Sequence, residues 1–200
     1  MIVQGVSISE MLNQSVTVLT KPSVATFEQF EKRGGQREAF TYVGVATVIA
    51  AIAAGLFGLL GGVGGLLAGL IGTALSVVVG YFVFSYALYL IGKQQGGTGT
   101  QDEVFYTTAL YIAPIQAVTG VVGAIPFINC AFAPISILLA IYSAYLGYLA
   151  ARSSMNLDQN KAIISVVVAV VATWLVSAVV IGGLVAMLFG GAAITGALGS

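Results

Sequence analysis

All fourteen charged residues of this 200-residue chain fall in three short windows, and that distribution constrains the fold more than any motif. The first window, residues 1–38, holds Glu10, Lys21, Glu28, Glu31, Lys32, Arg33, Arg37 and Glu38. Lys93, Asp102 and Glu103 form the second, and Arg152, Asp158 and Lys161 the third. The remaining stretches, 39–92, 104–151 and 162–200, are free of charge over 54, 48 and 39 residues. A helix needs about 20 apolar residues to cross a hydrocarbon core of roughly 30 Å. The first two stretches therefore hold two spans each, and the third holds one. Backbone polar groups must be satisfied inside lipid, which admits only helices and closed barrels. Barrel strands alternate over about ten residues, and these runs are too long and too uniformly apolar for that. The expected fold is all-α: a polytopic membrane protein with a bundle of five transmembrane helices near 40–60, 66–92, 104–124, 127–151 and 161–189. Short amphipathic helices in a segment 1–38 precede the membrane domain at 39–192, and 193–200 form a short tail.

Gly61-Gly62-Val63-Gly64-Gly65 and Ala124-Ile125-Pro126 break the two long stretches without a charge. Five spans then place all three charged windows on one face, with seven Lys and Arg there and none on the other. The positive-inside rule puts that face in the cytoplasm, with the N-terminus inside and the C-terminus outside. All nine tyrosines lie in the half of their helix nearer a charged window, as an interfacial belt requires. Residues 1–38 contain no apolar core long enough for a cleaved signal, so the first span is expected to double as the targeting signal.

Composition removes several functions. Charged residues make up 7% of the chain, against roughly 25% for a soluble domain. The charges sum to zero with no long basic run, which leaves no footprint for nucleic acid. Cys130 is alone, so it has no disulfide or zinc partner, and there is no histidine. No Asp, Glu, Lys, Arg or His falls inside an expected span, Lys161 standing only at the first position of the last, which disfavours ion-coupled transport and intramembrane hydrolysis. No cofactor, metal or catalytic residue is expected. The serines and threonines are expected to bond back to their own helices.

Glycine carries the packing pattern. Gly61, Gly65 and Gly69 form two GxxxG steps, and Ala68, Gly72, Ser76 and Gly80 continue a ridge of small residues. Gly182, Ala186 and Gly190 repeat it on the last span. Such ridges let helix backbones approach closely, within one bundle or between copies. The hairpin of the third and fourth spans holds Pro114, Pro126 and Pro134 with Gln116 and Asn129 close by. Proline at depth frees a backbone carbonyl. The stretch therefore reads either as a kinked structural hairpin or as a polar site lined by broken helices.

Before the spans, Ser7 and Glu10 have the spacing of a capping box. Ile8, Met11, Leu12, Val16 and Leu19 then mark one apolar helical face. A second short helix follows Pro22, with Val24, Phe27 and Phe30 on one side, and Gly34-Gly35 forms an elbow. These helices can pack under the bundle, lie on the membrane, or dock a partner through Pro22, Phe27 and Phe30. A polar face poor in Lys and Arg disfavours lipid headgroups.

Three stretches carry a resemblance: KPSVATFEQF at 21–30, ALYIAPIQAVTGVVGAIP at 109–126, and IYSAYLGYLAARSSMNLDQNKA at 141–162. Together with the five-span layout they resemble the Yip family of Ypt/Rab-interacting membrane proteins. The resemblance implies a multi-span protein without enzymatic activity, and a prenylated Rab-type GTPase as partner only if the source is eukaryotic. Two departures, a 38-residue N-terminal segment and no Asp-Leu-Tyr-Gly-Pro element, imply a prokaryotic relative in the plasma membrane. The sequence is therefore read as a non-enzymatic adaptor or membrane-organising protein. Its expected partners are membrane lipids and either a second copy or another membrane protein. The alternative is a channel, transporter or lipid-moving protein for a neutral solute or lipid, with its pathway near the proline-bearing helices.

Overall fold

A computed structural model describes the backbone of residues 5–198, and side chains as far as residue 183 with the exception of residue 181. Seven α-helices follow in order: α1 (Ile8–Thr20), α2 (Val24–Phe30), α3 (Gln36–Gly58), α4 (Gly62–Gln94), α5 (Gln101–Ala124), α6 (Ile128–Ser154) and α7 (Gln159–Leu198). The chain is an all-α polytopic membrane protein, and no strand occurs among the described residues. Four apolar stretches are long enough to cross a membrane, and one of them, Gln36–Gln94, has 59 residues. At 1.5 Å per residue that stretch would reach about 90 Å, three times the hydrocarbon thickness, so it must fold back. It does so at a 3₁₀ turn, Leu59–Gly61, and at Gly62, whose φ of 82° suits a residue without Cβ. Five spans result. α7 continues as helix to Leu198, so most of the expected tail is helical and its last two residues lie outside the described ones.

Close backbone approach holds the α3–α4 hairpin together. A Cβ on Gly65 would run into the Gly58 carbonyl, and one on Gly69 into the Ala54 carbonyl. On Gly55 it would lie 2.6 Å from Leu70 Cγ. Lipid tails are as apolar as leucine, so helices in a membrane gain contact energy chiefly by packing this tightly.

α4, α5, α6 and α7 form a ring in which each helix packs on its neighbours, and α3 lies outside against α4 and α5. Polar caps set the helix ends. Thr100 caps α5, accepting from the Glu103 N–H at 3.3 Å, while Glu103 Oε2 accepts from the Thr100 N–H at 2.7 Å. Asp102 Oδ1 accepts from both the backbone and the side-chain nitrogen of Gln36, at 3.2 and 3.1 Å, and so ties the start of α3 to the start of α5. Ser7 caps α1 through the Glu10 N–H at 3.2 Å. Several of the spans' hydroxyls bond back: Thr47 donates to the Val43 carbonyl, Ser76 to Gly72, Thr119 to Ile115 and Thr173 to Ala169.

The buried core is confined to the charged end of the bundle. Its main cluster draws on α3 as far as Ala46, α4 from Val77, α5 to Ala113, α6 from Leu146 and α7 to Ala169, and beyond it only Ala50 and Ala51 of α3 are buried hydrophobics among the described residues. Replacing Gly65 or Gly69 with isoleucine is expected to destabilise the hairpin by about 2–3 kcal/mol or more, since backbone rather than a movable side chain is in the way. Gly72→Ala and Gly80→Ala, where a Cβ meets nothing within 4 Å, are expected to leave thermal unfolding in detergent unchanged.

Candidate functional site

Helices α1 and α2 are built into the bundle rather than displayed beneath it. Phe27 is fully buried, its ring edge-on to that of Tyr111 with centroids 6.3 Å apart, and Phe30 is buried beside it. The expectation that Phe27 and Phe30 offer a docking surface is therefore corrected: both rings are spent inside the protein. Pro22, half-buried, lies in the short link between α1 and α2.

α1 also presents a different face from the one its apolar pattern suggests. Met11, Gln14, Ser15 and Val18 point inward, while Ile8, Leu12 and Val16 are exposed. The reason lies in the bundle. Tyr106 donates to Gln14 Oε1 at 2.8 Å, Tyr42 shares a 3.0 Å hydrogen bond with Ser15, and Tyr142 donates to the Leu19 carbonyl at 2.7 Å. Buried phenols need partners, and an unpaired one costs about 1–3 kcal/mol. Two polar residues of α1 supply them, and the apolar stripe is left outward. The aromatic belt divides accordingly. Tyr42, Tyr81, Tyr106 and Tyr111 are interior, whereas Tyr86 and Tyr145 are exposed. Tyr111 and Ser165 are buried with no hydrogen-bond partner among the described residues.

Glu31 closes the link between α2 and the end of α6. Its Oε2 accepts from Ser153 at 2.5 Å, and Lys32 lies 3.8 Å from its other oxygen. Burial raises the Glu31 carboxyl above its ordinary range; the Ser153 hydrogen bond opposes this, Glu103 adds to it, Lys32 opposes it, and Glu28 adds to it.

Further into the membrane the ring of helices opens around a cavity of about 520 Å³. Its floor is the buried core, at Tyr81, Phe84 and Ile112. Its walls are Ile112, Ile115, Gln116 and Thr119 on α5, and Val170, Thr173, Trp174 and Ser177 on α7. Both sets have the i, i+3, i+4, i+7 spacing of one helical face. Ser136, Leu139, Ala140, Ser143 and Ala144 complete it from α6, and Gly80 from α4. This polar spacing is readable in the sequence, but only once the facing helices are known. Every lining residue lies ten to eighteen positions from the charged end of its helix, hence about 15–27 Å deep at 1.5 Å per residue.

The cavity brings together some of the residues singled out by sequence and not others. Gln116 lines it, with half-buried Pro114 two residues earlier on α5. Pro126, Asn129 and Pro134 are exposed toward the uncharged end and do not line it, so the expected polar site is reduced to Gln116. At that end the chain turns through Phe127, which has φ 66° and is 92% exposed. Gly65 and Gly69 face α3; around Gly61, Gly72, Gly80 and Gly182 an added Cβ would find open space. The side-chain surroundings of Gly190 lie outside the described residues.

Two outcomes are expected. Phe27→Ala removes a fully buried ring and is expected to cost about 3–5 kcal/mol, read as a lower unfolding temperature and faster proteolysis within residues 1–30. Because the folded state raises the Glu31 pKa, it holds the proton more tightly than the unfolded chain does. The Glu31 contribution to stability is then present at low pH, falls as pH rises from the ordinary carboxylate range through the folded-state pKa, and is flat above it. Glu31→Gln keeps the acceptor for Ser153 and is expected to flatten that part of the profile, measured as unfolding temperature against pH.

Neither curated proteins nor solved structures provide a significant match to the chain. The family model described as the Yip1 domain matches residues 16–181, from within α1 through all five spans. With more than four-fifths of the sequence inside that match, the chain belongs to the Yip family of membrane proteins.

Proposed function

We propose that this protein is a non-enzymatic adaptor or membrane-organising factor. The observation that carries this reading is the closed, cross-braced charged end, where α1 and α2 are hydrogen-bonded into the core. Such an end is a preformed platform bearing all fourteen charges of both signs, a surface suited to a polar protein partner. The same packing speaks against the alternative of a straight passage for a neutral solute or lipid. Tyr106, Leu110, Leu146 and Met155 are fully buried in the charged half of the bundle. In this reading the platform faces the cytoplasm, following the seven-to-none split of Lys and Arg, and the membrane is the plasma membrane of a prokaryote.

Two measurements test this. In a Cys130→Ser background, Phe127→Cys is expected to react with an impermeant maleimide on intact cells, and Glu28→Cys only after permeabilisation; the reverse would invert the topology. A photo-crosslinker placed at Lys21 or Arg33, both exposed, is expected to give one discrete protein adduct that charge reversal at Lys32 and Arg37 weakens. Lipid adducts alone would count against an adaptor.

A further inference from the structure

The cavity at mid-depth has a chemistry of its own. No Asp, Glu, Lys, Arg or His lines it, and its hydrogen-bonding groups converge chiefly from three helices: Gln116 and Thr119 from α5, Ser136 and Ser143 from α6, and Thr173 and Ser177 from α7. Ser136 and Thr173 have already donated their protons to their own helices, at 2.7 Å each. The side chains of Gln116, Ser143 and Ser177 have no hydrogen-bond partner among the described residues. They leave four N–H and O–H donors and three acceptor oxygens directed at one space, at a depth where bulk water does not supply partners. The rest of the wall is apolar, and Trp174 stands at the rim, 73% exposed. At about 520 Å³ the space falls within the range of roughly 300–1,000 Å³ typical of sites for small ligands.

We propose that this cavity is a binding site for an uncharged amphiphile: a lipid-derived molecule with hydroxyl or ester groups and an apolar tail, of the diacylglycerol type. The carboxamide of Gln116 donates to a ligand carbonyl and accepts from a ligand hydroxyl, Ser143 and Ser177 complete the polar shell, and the tail leaves past Trp174 into the bilayer. A charged headgroup is excluded, because its desolvation at this depth would find no counter-charge on the wall. The buried floor closes the site toward the charged end, so the ligand enters and leaves by the lipid side. The site does not depend on the adaptor reading.

Trp174 is the sole tryptophan of the chain and therefore reports on the site directly. The protein is reconstituted into phosphatidylcholine vesicles, and brominated diacylglycerol is added at low mole fraction. Trp174 fluorescence is expected to be quenched saturably, beyond the linear quenching produced by brominated phosphatidylcholine at the same fraction. Gln116→Leu is expected to weaken the saturable component roughly tenfold, and Ala140→Phe to abolish it by filling the cavity. Gly72→Ala, away from the cavity, retains it, and thermal unfolding confirms that each variant is folded. Linear quenching alone would overturn the site. Saturable quenching that folded Gln116→Leu and Ala140→Phe leave unchanged would overturn it as well. Equal saturation by brominated phosphatidic acid would overturn the restriction to uncharged ligands.

Discussion

Helices that meet inside a bilayer gain little by leaving one apolar surroundings for another, so contact geometry and hydrogen bonds must hold them together. This chain meets that requirement in two ways at two depths. In the α3–α4 hairpin, glycine removes the side chain altogether and backbones touch, Gly65 against Gly58 and Gly69 against Ala54. At the charged end large aromatic rings fill the space, and their hydroxyls bind across helices. Tyr81 reaches the Phe105 carbonyl at 2.8 Å, and Ser85 shares a 2.7 Å bond with Thr108. Each such bond is worth about 1 kcal/mol net, and loss of one partner costs more because the other stays buried.

The division between a solid end and an open end follows from these devices. Only the charged end receives α1 and α2, whose Met11, Val18 and Phe27 add apolar volume while Gln14, Ser15 and Glu31 add polar partners. Among the described residues no comparable insert reaches the other half, where α5, α6 and α7 stand around a cavity. A platform closed to passage and a pocket open to lipid can thus share one ring of four helices. The adaptor reading rests on the first and the ligand site on the second.

Several of these features were legible in the residues. GxxxG spacing pointed to Gly65 and Gly69, Ser7 to the start of α1, and the glycine cluster to the fold-back at Gly62. The Thr100–Glu103 capping box was equally legible in form but was obscured by its place in a charged loop. The inward face of α1 was not legible. Amphipathic pattern assigns apolar residues to the interior, but here Ile8, Leu12 and Val16 are exposed, while buried tyrosines draw in Gln14 and Ser15. Proximity in sequence also misled: Gln116 and Asn129 flank one turn, yet Gln116 lies eight positions before the end of α5 and Asn129 one position into α6, so they sit at different depths.

The sequence by itself determined the membrane, the helical class, the number of spans and the gathering of all charge at one end. Each of these follows from a local cost, that of putting a charge or an unpaired backbone group into hydrocarbon, which is paid wherever the residue sits. Tertiary structure alone decided which tyrosines turn inward, that Phe27 becomes core rather than contact surface, and that Gln116 rather than Asn129 lines the cavity. Those outcomes depend on what stands opposite each side chain, and a pattern along one helix carries no record of its neighbours.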